Sequence, residues 1–138
     1  MVKILDLSNN NLTELPDYLD KFANLSELNL ASNKFKKIPS ILYSLTNLTK
    51  LNLTRNELTE IPDEIVKMKN LNTLNMNANK IEKISNSIVQ LDNLQTLMLS
   101  SNRLKQIPNE FSNMKNLKFS IGCQELFSFP VHKHNFRF

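Results

Sequence analysis

The chain has one glycine, Gly122, and one cysteine, Cys123, among 138 residues. So little glycine argues against an architecture of hairpins and tight turns, whose positive-φ positions glycine ordinarily fills. It also excludes a phosphate-cradling loop, which needs several glycines at fixed spacing. A lone cysteine cannot close an intrachain disulfide, and with no histidine fixed near it by spacing it is expected to be a free, partly buried thiol. His132 and His134 stand two apart, on one face of any strand there, an incomplete metal pair expected to be part of a polar tail. No nucleophile–base pair, carboxylate pair or three-ligand set converges, so neither an enzyme nor a cofactor site is expected. No apolar run approaches the roughly 18 residues of a membrane span, and no leader is expected ahead of Val2.

Charge is present but unevenly spread. The net charge is +4; residues 1–69 carry nine basic and nine acidic side chains, residues 70–138 eight basic against four acidic. The C-terminal half is the better suited to an acidic surface. Nucleic acid is not expected, because Lys80, Lys83, Arg103, Lys105, Lys115 and Lys118 are spread singly with few aromatics between them.

What the chain has in quantity is repetition. Residues 48–70, LTKLNLTRNELTEIPDEIVKMKN, recur almost position by position 23 residues earlier and 23 later. Apolar side chains fall at Leu48, Leu51, Leu53, Leu58, Ile61, Ile65 and Met68, with Asn56, Pro62 and Asn70 between them. Five units share this register, 2–24, 25–47, 48–70, 71–93 and 94–116, and together with 117–138 they are expected to form one domain. Ser85 stands where Pro16, Pro39, Pro62 and Pro108 stand in the other units. Residues 117–138 form a degenerate sixth unit. Deleting one residue after Leu117 puts Phe119, Ile121, Gln124, Leu126, Phe129 and Pro130 in the slots of Leu97, Leu99, Asn102, Leu104, Ile107 and Pro108.

The pattern LxxLxLxxNxLxxIPxxIxxMxN resembles the leucine-rich repeat, whose period is about 20–29 residues. The LxxIP form with its 23-residue period is similar to intracellular scaffold members, including those that bind Ras-like small GTPases. The resemblance implies an α/β, right-handed, curved solenoid with parallel strands on the concave face and a protein partner bound there. Extracellular relatives usually close their ends with disulfide-bonded caps, which a single cysteine cannot make; the expected compartment is cytoplasmic. The N-x-S/T sites at Asn11, Asn24, Asn47 and Asn52 are accordingly read as accidents of the repeat.

The spacing accounts for that shape. Leu51-Asn52-Leu53 alternates as a short strand does, leucines inward and asparagine outward. Pro62 to Met68 places apolar residues three apart behind a proline, one turn or so of helix or 3₁₀ helix. Narrow strand spacing against a wider helical layer curves the stack. Two asparagine ladders, through Asn56 and Asn70, are expected to satisfy backbone groups left unpaired where the chain bends.

Outward-pointing residues then form columns on the concave face: Asp6, Asn29, Asn52, Asn75 and Met98 in the centre; Glu27 and Lys50 beside them; Asn77 and Arg55 beyond. Lys50 and Arg55 make a cationic spot suited to an acidic or phosphorylated segment, and Met98 an apolar one. At the ends, Val2, Leu5, Leu7, Leu12 and Leu15 lack a covering unit, which suggests a homodimer through the first repeat or a piece of a longer protein. Phe119, Phe127, Phe129, Phe136 and Phe138 would fold back as a cap or, with Lys133 and Arg137, serve as a docking or membrane-surface tail. The function expected is a non-catalytic protein-interaction module in scaffolding or signalling. The alternatives are the targeting arm of a kinase, phosphatase or exchange factor, and a self-associating structural module.

Inward and outward positions are separable by urea denaturation. Leu53→Ala is expected to cost about 2–5 kcal/mol. Asn56→Ala should fall with it, while Asn52→Ala should leave stability nearly unchanged; coincident midpoints for the two asparagine variants would refute the assignment.

Overall fold

The computed structural model describes residues 1–114 and 116–121, with the side chain of Phe119 set aside. Within them each unit contributes one three-residue strand: β1 (Ile4–Asp6), β2 (Glu27–Asn29), β3 (Lys50–Asn52), β5 (Thr73–Asn75), β7 (Thr96–Met98) and β8 (Lys118–Ser120). They form one parallel sheet in chain order, every pair held in register. Leu5, Leu28, Leu51, Leu74 and Leu97 align along its inner face. The last step is 22 residues, pairing Leu97 with Phe119, as the one-residue deletion after Leu117 requires.

Behind the sheet lie five 3₁₀ helices: η1 (Asp17–Lys21), η2 (Ser40–Ser44), η3 (Asp63–Lys67), η4 (Asn86–Gln90) and η5 (Asn109–Asn113). The proline sits just ahead of the helix and not at its first position. Pro62 is extended, and its carbonyl accepts the Ile65 N–H at 3.2 Å, opening η3. Each helix buries one central residue, Leu19, Leu42, Ile65, Ile88 or Phe111, beneath the sheet leucines. The core is continuous from Leu15 to Ile121 and the stack is a curved solenoid, since helices occupy more room per unit than strands about 4.8 Å apart. At the first unit Val2 and Ile4 are exposed; Leu5, Leu7 and Leu12 are half-buried against the core, and Leu15 is buried. The open end is therefore smaller than the sequence suggested.

Two features bind unit to unit. Asn56 is buried; its Oδ1 accepts the Phe35 N–H at 3.1 Å while its Nδ2 donates to the carbonyls of Leu30 and Leu53 at 3.0 and 3.1 Å. Asn33, Asn79 and Asn102 repeat this clamp on their own and preceding units. Asn10, in the first unit, is exposed and donates within that unit, to the Leu7 and Ser8 carbonyls. The second ladder is exposed and single-bonded: Asn47, Asn70 and Asn93 donate to the carbonyls of Ala23, Thr46 and Lys69.

The turn after β1, β2, β3, β5 and β7 is made by the residue before the ladder asparagine, not by the asparagine itself. Asn9, Ser32, Arg55, Ala78 and Ser101 have φ of 55–59°, the left-handed region that side chains with a Cβ normally avoid. Their geometry is held by the next unit. Arg55 N–H donates to Asn77 O at 2.9 Å and Ala78 N–H to Ser100 O at 2.8 Å.

The missing proline also has a structural consequence. Ser85 caps η4 by accepting the Ser87 N–H, and its hydroxyl donates to the Asp63 carboxylate. Its own backbone N–H donates to Ile61 O at 2.9 Å. That bond extends a second, two-stranded parallel sheet, β4 (Glu60–Ile61) with β6 (Lys83–Ile84). A proline at this position has no N–H to give.

Two stability measurements follow from these positions. Ser85→Pro, although it restores the repeat pattern, should destabilise by about 1–3 kcal/mol through loss of the N–H bond and the cap. Ala78→Gly should stabilise by about 0.5–1 kcal/mol, relief of the left-handed strain outweighing the added chain entropy. Thermal or urea unfolding reads both; a more stable Ser85→Pro or a less stable Ala78→Gly would contradict these assignments.

Candidate functional site

Strand pairing places the predicted concave residues side by side. Asp6, Asn29, Asn52, Asn75 and Met98 are successive register partners, as are Glu27, Lys50 and Thr73. Arg55 stands at the rim, on the left-handed turn that leaves β3, with its side chain exposed. Asn77 lies on the same side of the column as Arg55, two residues beyond Asn75. All nine thus belong to one continuous surface.

The outward asparagines are not idle. Each spends its carbonyl oxygen on the chain leaving its strand: Asn29 accepts the Ala31 N–H, Asn52 the Thr54 N–H and Asn75 the Asn77 N–H, at 3.0–3.1 Å. Asn77 Oδ1 accepts the Ser100 N–H of the next unit at 2.8 Å. Asn52→Ala therefore has a small cost, where the sequence implied almost none. The NH₂ groups differ along the column. Asn29 donates to Asp6, but those of Asn52, Asn75 and Asn77 have no acceptor among the described residues. The Thr54 hydroxyl, between them, is buried and unpartnered there.

Electrostatically the site differs from expectation at Lys50. Its ammonium lies 2.9 Å from the Glu27 carboxylate, one unit back, so it is not a free cation. Arg55 has no ion partner among the described residues, nor has Lys118, the exposed register partner of Thr96 on β8; these are the cations the surface offers. Asp6 is held below the usual carboxylate range by hydrogen bonds from the Ser8 side chain, the Ser8 backbone N–H and Asn29. It remains an anion at neutral pH, and the exposed face runs from negative at Asp6 to apolar at Met98. Met98, in β7, is half-buried between Asn75 and Ser120.

The sequence reasoning missed two further pairs of the same spacing. Lys80 meets Glu57 at 2.9 Å and Lys105 meets Glu82 at 2.8 Å, each 23 residues apart, a signal the period itself supplied. Among the described residues no three His, Cys, Asp or Glu groups stand together as metal ligands. No helix there is long and apolar enough to cross a membrane. Gly122, Cys123, Gln124, Leu126, Phe127, Phe129, Pro130, His132, Lys133, His134, Phe136, Arg137 and Phe138 lie outside the described residues.

Comparison with known proteins agrees with this geometry. The family model described as Leucine rich repeat matches residues 23–81, 46–104 and 69–119, and a two-copy model of Leucine Rich repeats matches 1–44. Among curated protein sequences there is no match. Of solved structures, a leucine-rich repeat protein of Leptospira interrogans is similar at 38% identity and TM-score 0.78, over 86% of this chain and 30% of that one. Internalin C2 of Listeria monocytogenes is 30% identical with TM-score 0.76, over 87% of this chain and 51% of that one. A plant peptide hormone receptor, RGFR1, solved in complex with RGF2, is 31% identical with TM-score 0.74, over 87% of this chain and 20% of its own length. The chain thus spans about half or less of the length of these three neighbours. With 23-residue units stacked in register, clamped by buried asparagines and matched by family models over most of their length, the chain belongs to the leucine-rich repeat family.

Proposed function

We propose that this domain is a non-catalytic module that binds a partner protein on its concave strand face. The observation that carries this is the row of unspent amide donors on Asn52, Asn75 and Asn77, next to Arg55 and Met98. Asn52 and Asn75 stand on adjacent strands, about 4.8 Å apart, with Asn77 beyond them, and each amide can donate to a carbonyl or carboxylate oxygen of a bound segment. Arg55 supplies a cation for an acidic or phosphorylated residue of that segment, and Met98 an apolar seat. The bound peptide hormone of the plant receptor neighbour supports a partner of this type.

Among protein partners, the resemblance to scaffold members makes a Ras-like small GTPase the first to test, and with it a cytoplasmic, signalling setting. A second function, the targeting arm of a larger signalling enzyme, draws support from the greater length of the matched structures. Self-association through the first unit is the third; its exposed Val2 and Ile4 favour it.

The test is affinity capture from lysate of the source cell, read by mass spectrometry. Asn75→Arg/Met98→Arg should abolish capture of the dominant partner, and Glu64→Arg, on η3 behind the sheet, should retain it. Equal capture by both variants would overturn the concave-face assignment. A mass that doubles with concentration in light scattering, with no captured partner, would favour self-association instead.

A further inference from the structure

A second interaction surface lies on one flank of the solenoid, where the chain passes from the asparagine turn to the 3₁₀ helix. Residues 34–37, 57–60, 80–83 and 103–106 form the basic part of this flank, with seven cations against three carboxylates; the first rung, 11–14, adds Glu14. The opposite flank, residues 23–26, 46–49, 69–72 and 92–95, has one of each, Lys69 and Asp92. The helical side is acidic, with five carboxylates on η1, η3 and η5 against Lys21 and Lys67. Positive charge is thus concentrated on one side of the molecule.

The flank is a built surface. Phe35, Leu58, Ile81 and Leu104 are buried beneath it, and backbone bonds tie its rungs: Glu57 N–H to Phe35 O, Lys80 N–H to Leu58 O and Arg103 N–H to Ile81 O, at 2.8–2.9 Å. The alternate residues therefore point outward from fixed positions. Two of the seven cations, Lys80 and Lys105, are spent on Glu57 and Glu82. Lys34, Lys36, Lys37, Lys83 and Arg103 are exposed and have no ion partner among the described residues. The local field is visible at the carboxylates. Glu57 is held low first by the Lys80 hydrogen bond and charge, then by Lys36 and Lys34; Glu82 is held low by Lys105, then by Arg103.

We infer that this flank docks an extended acidic protein segment, which lies across the units from Lys34 to Arg103. Those rungs are three steps apart, about 14 Å at the usual strand spacing, a distance that about five extended residues cross. A nucleic acid fits less well. Glu57, Glu60 and Glu82 interrupt the cations and would oppose an unbroken phosphate chain, and no aromatic stands among the outward residues of these four rungs to stack a base. A protein segment can set a neutral or basic residue opposite each of those carboxylates.

Fluorescence anisotropy with a labelled oligoglutamate peptide of about ten residues, at about 0.1 M salt where screening sets in over about 10 Å, tests this. Lys34→Glu/Lys36→Glu/Lys83→Glu/Arg103→Glu should weaken binding by about tenfold or more, and the corresponding glutamine variant should weaken it to a lesser degree. Lys21→Gln/Lys67→Gln, on the helical side and outside both proposed surfaces, should bind as wild type. Far-ultraviolet circular dichroism confirms that each variant is folded. No binding by wild type, an unaffected flank variant, equal loss in the helical-side variant, or tighter binding of a labelled single-stranded oligonucleotide of equal charge would each overturn the inference.

Discussion

The clamped side-chain amide that follows β2, β3, β5 and β7 is the interaction on which the rest depends. A leucine layer supplies most of the free energy of stacking, but it is non-directional and would tolerate a slip between units. The Asn56 amide does not, because its one acceptor and two donors are matched to backbone groups of two different units at once. Leaving those groups unpaired in the interior costs about 1–3 kcal/mol each, so sliding one unit past its neighbour is penalised at every rung. Register of the sheet, alignment of the columns and continuity of both outward surfaces follow from that clamp.

The same clamp lets the turn dispense with glycine. Five residues with a Cβ hold a left-handed conformation; each follows a fixed strand, four of them precede a clamped asparagine, and N–H bonds to the next unit secure several of them. Strain of this kind is tolerated where the surroundings over-determine the geometry. One outcome is that a residue with a side chain, Arg55, occupies a rim position where many proteins would place glycine. It is there available to a partner.

Periodicity acts on surface chemistry as well as on the core. Any charged residue is repeated in position 23 residues later, so opposite signs in successive units become neighbours, as in Glu27–Lys50, Glu57–Lys80 and Glu82–Lys105. Such exposed pairs contribute little to stability, about 0–1 kcal/mol each. Their larger effect is to remove charge from the list of free anchors. Lys50 is neutralised on the concave face, whereas Lys34, Lys36, Lys37, Lys83 and Arg103 on the flank are not, which shifts the net positive field from the face to the side.

Much was legible in the sequence because a repeat reports its own fold many times. The strand positions, the inward leucines, the concave columns and the one-residue shortening before Phe119 all follow from a period that copies each local preference from unit to unit. What only the tertiary structure decided was pairing between units: the partner of Lys50, the carbonyls taken by the outward asparagines, the choice of the preceding residue for the left-handed turn, and the bond from Ser85 to Ile61 that makes a second sheet. Composition and period specify which groups are present and which face they share. Whether a given group is spent or left for a partner depends on distances of a few tenths of an ångström across the stack, and those are set by packing.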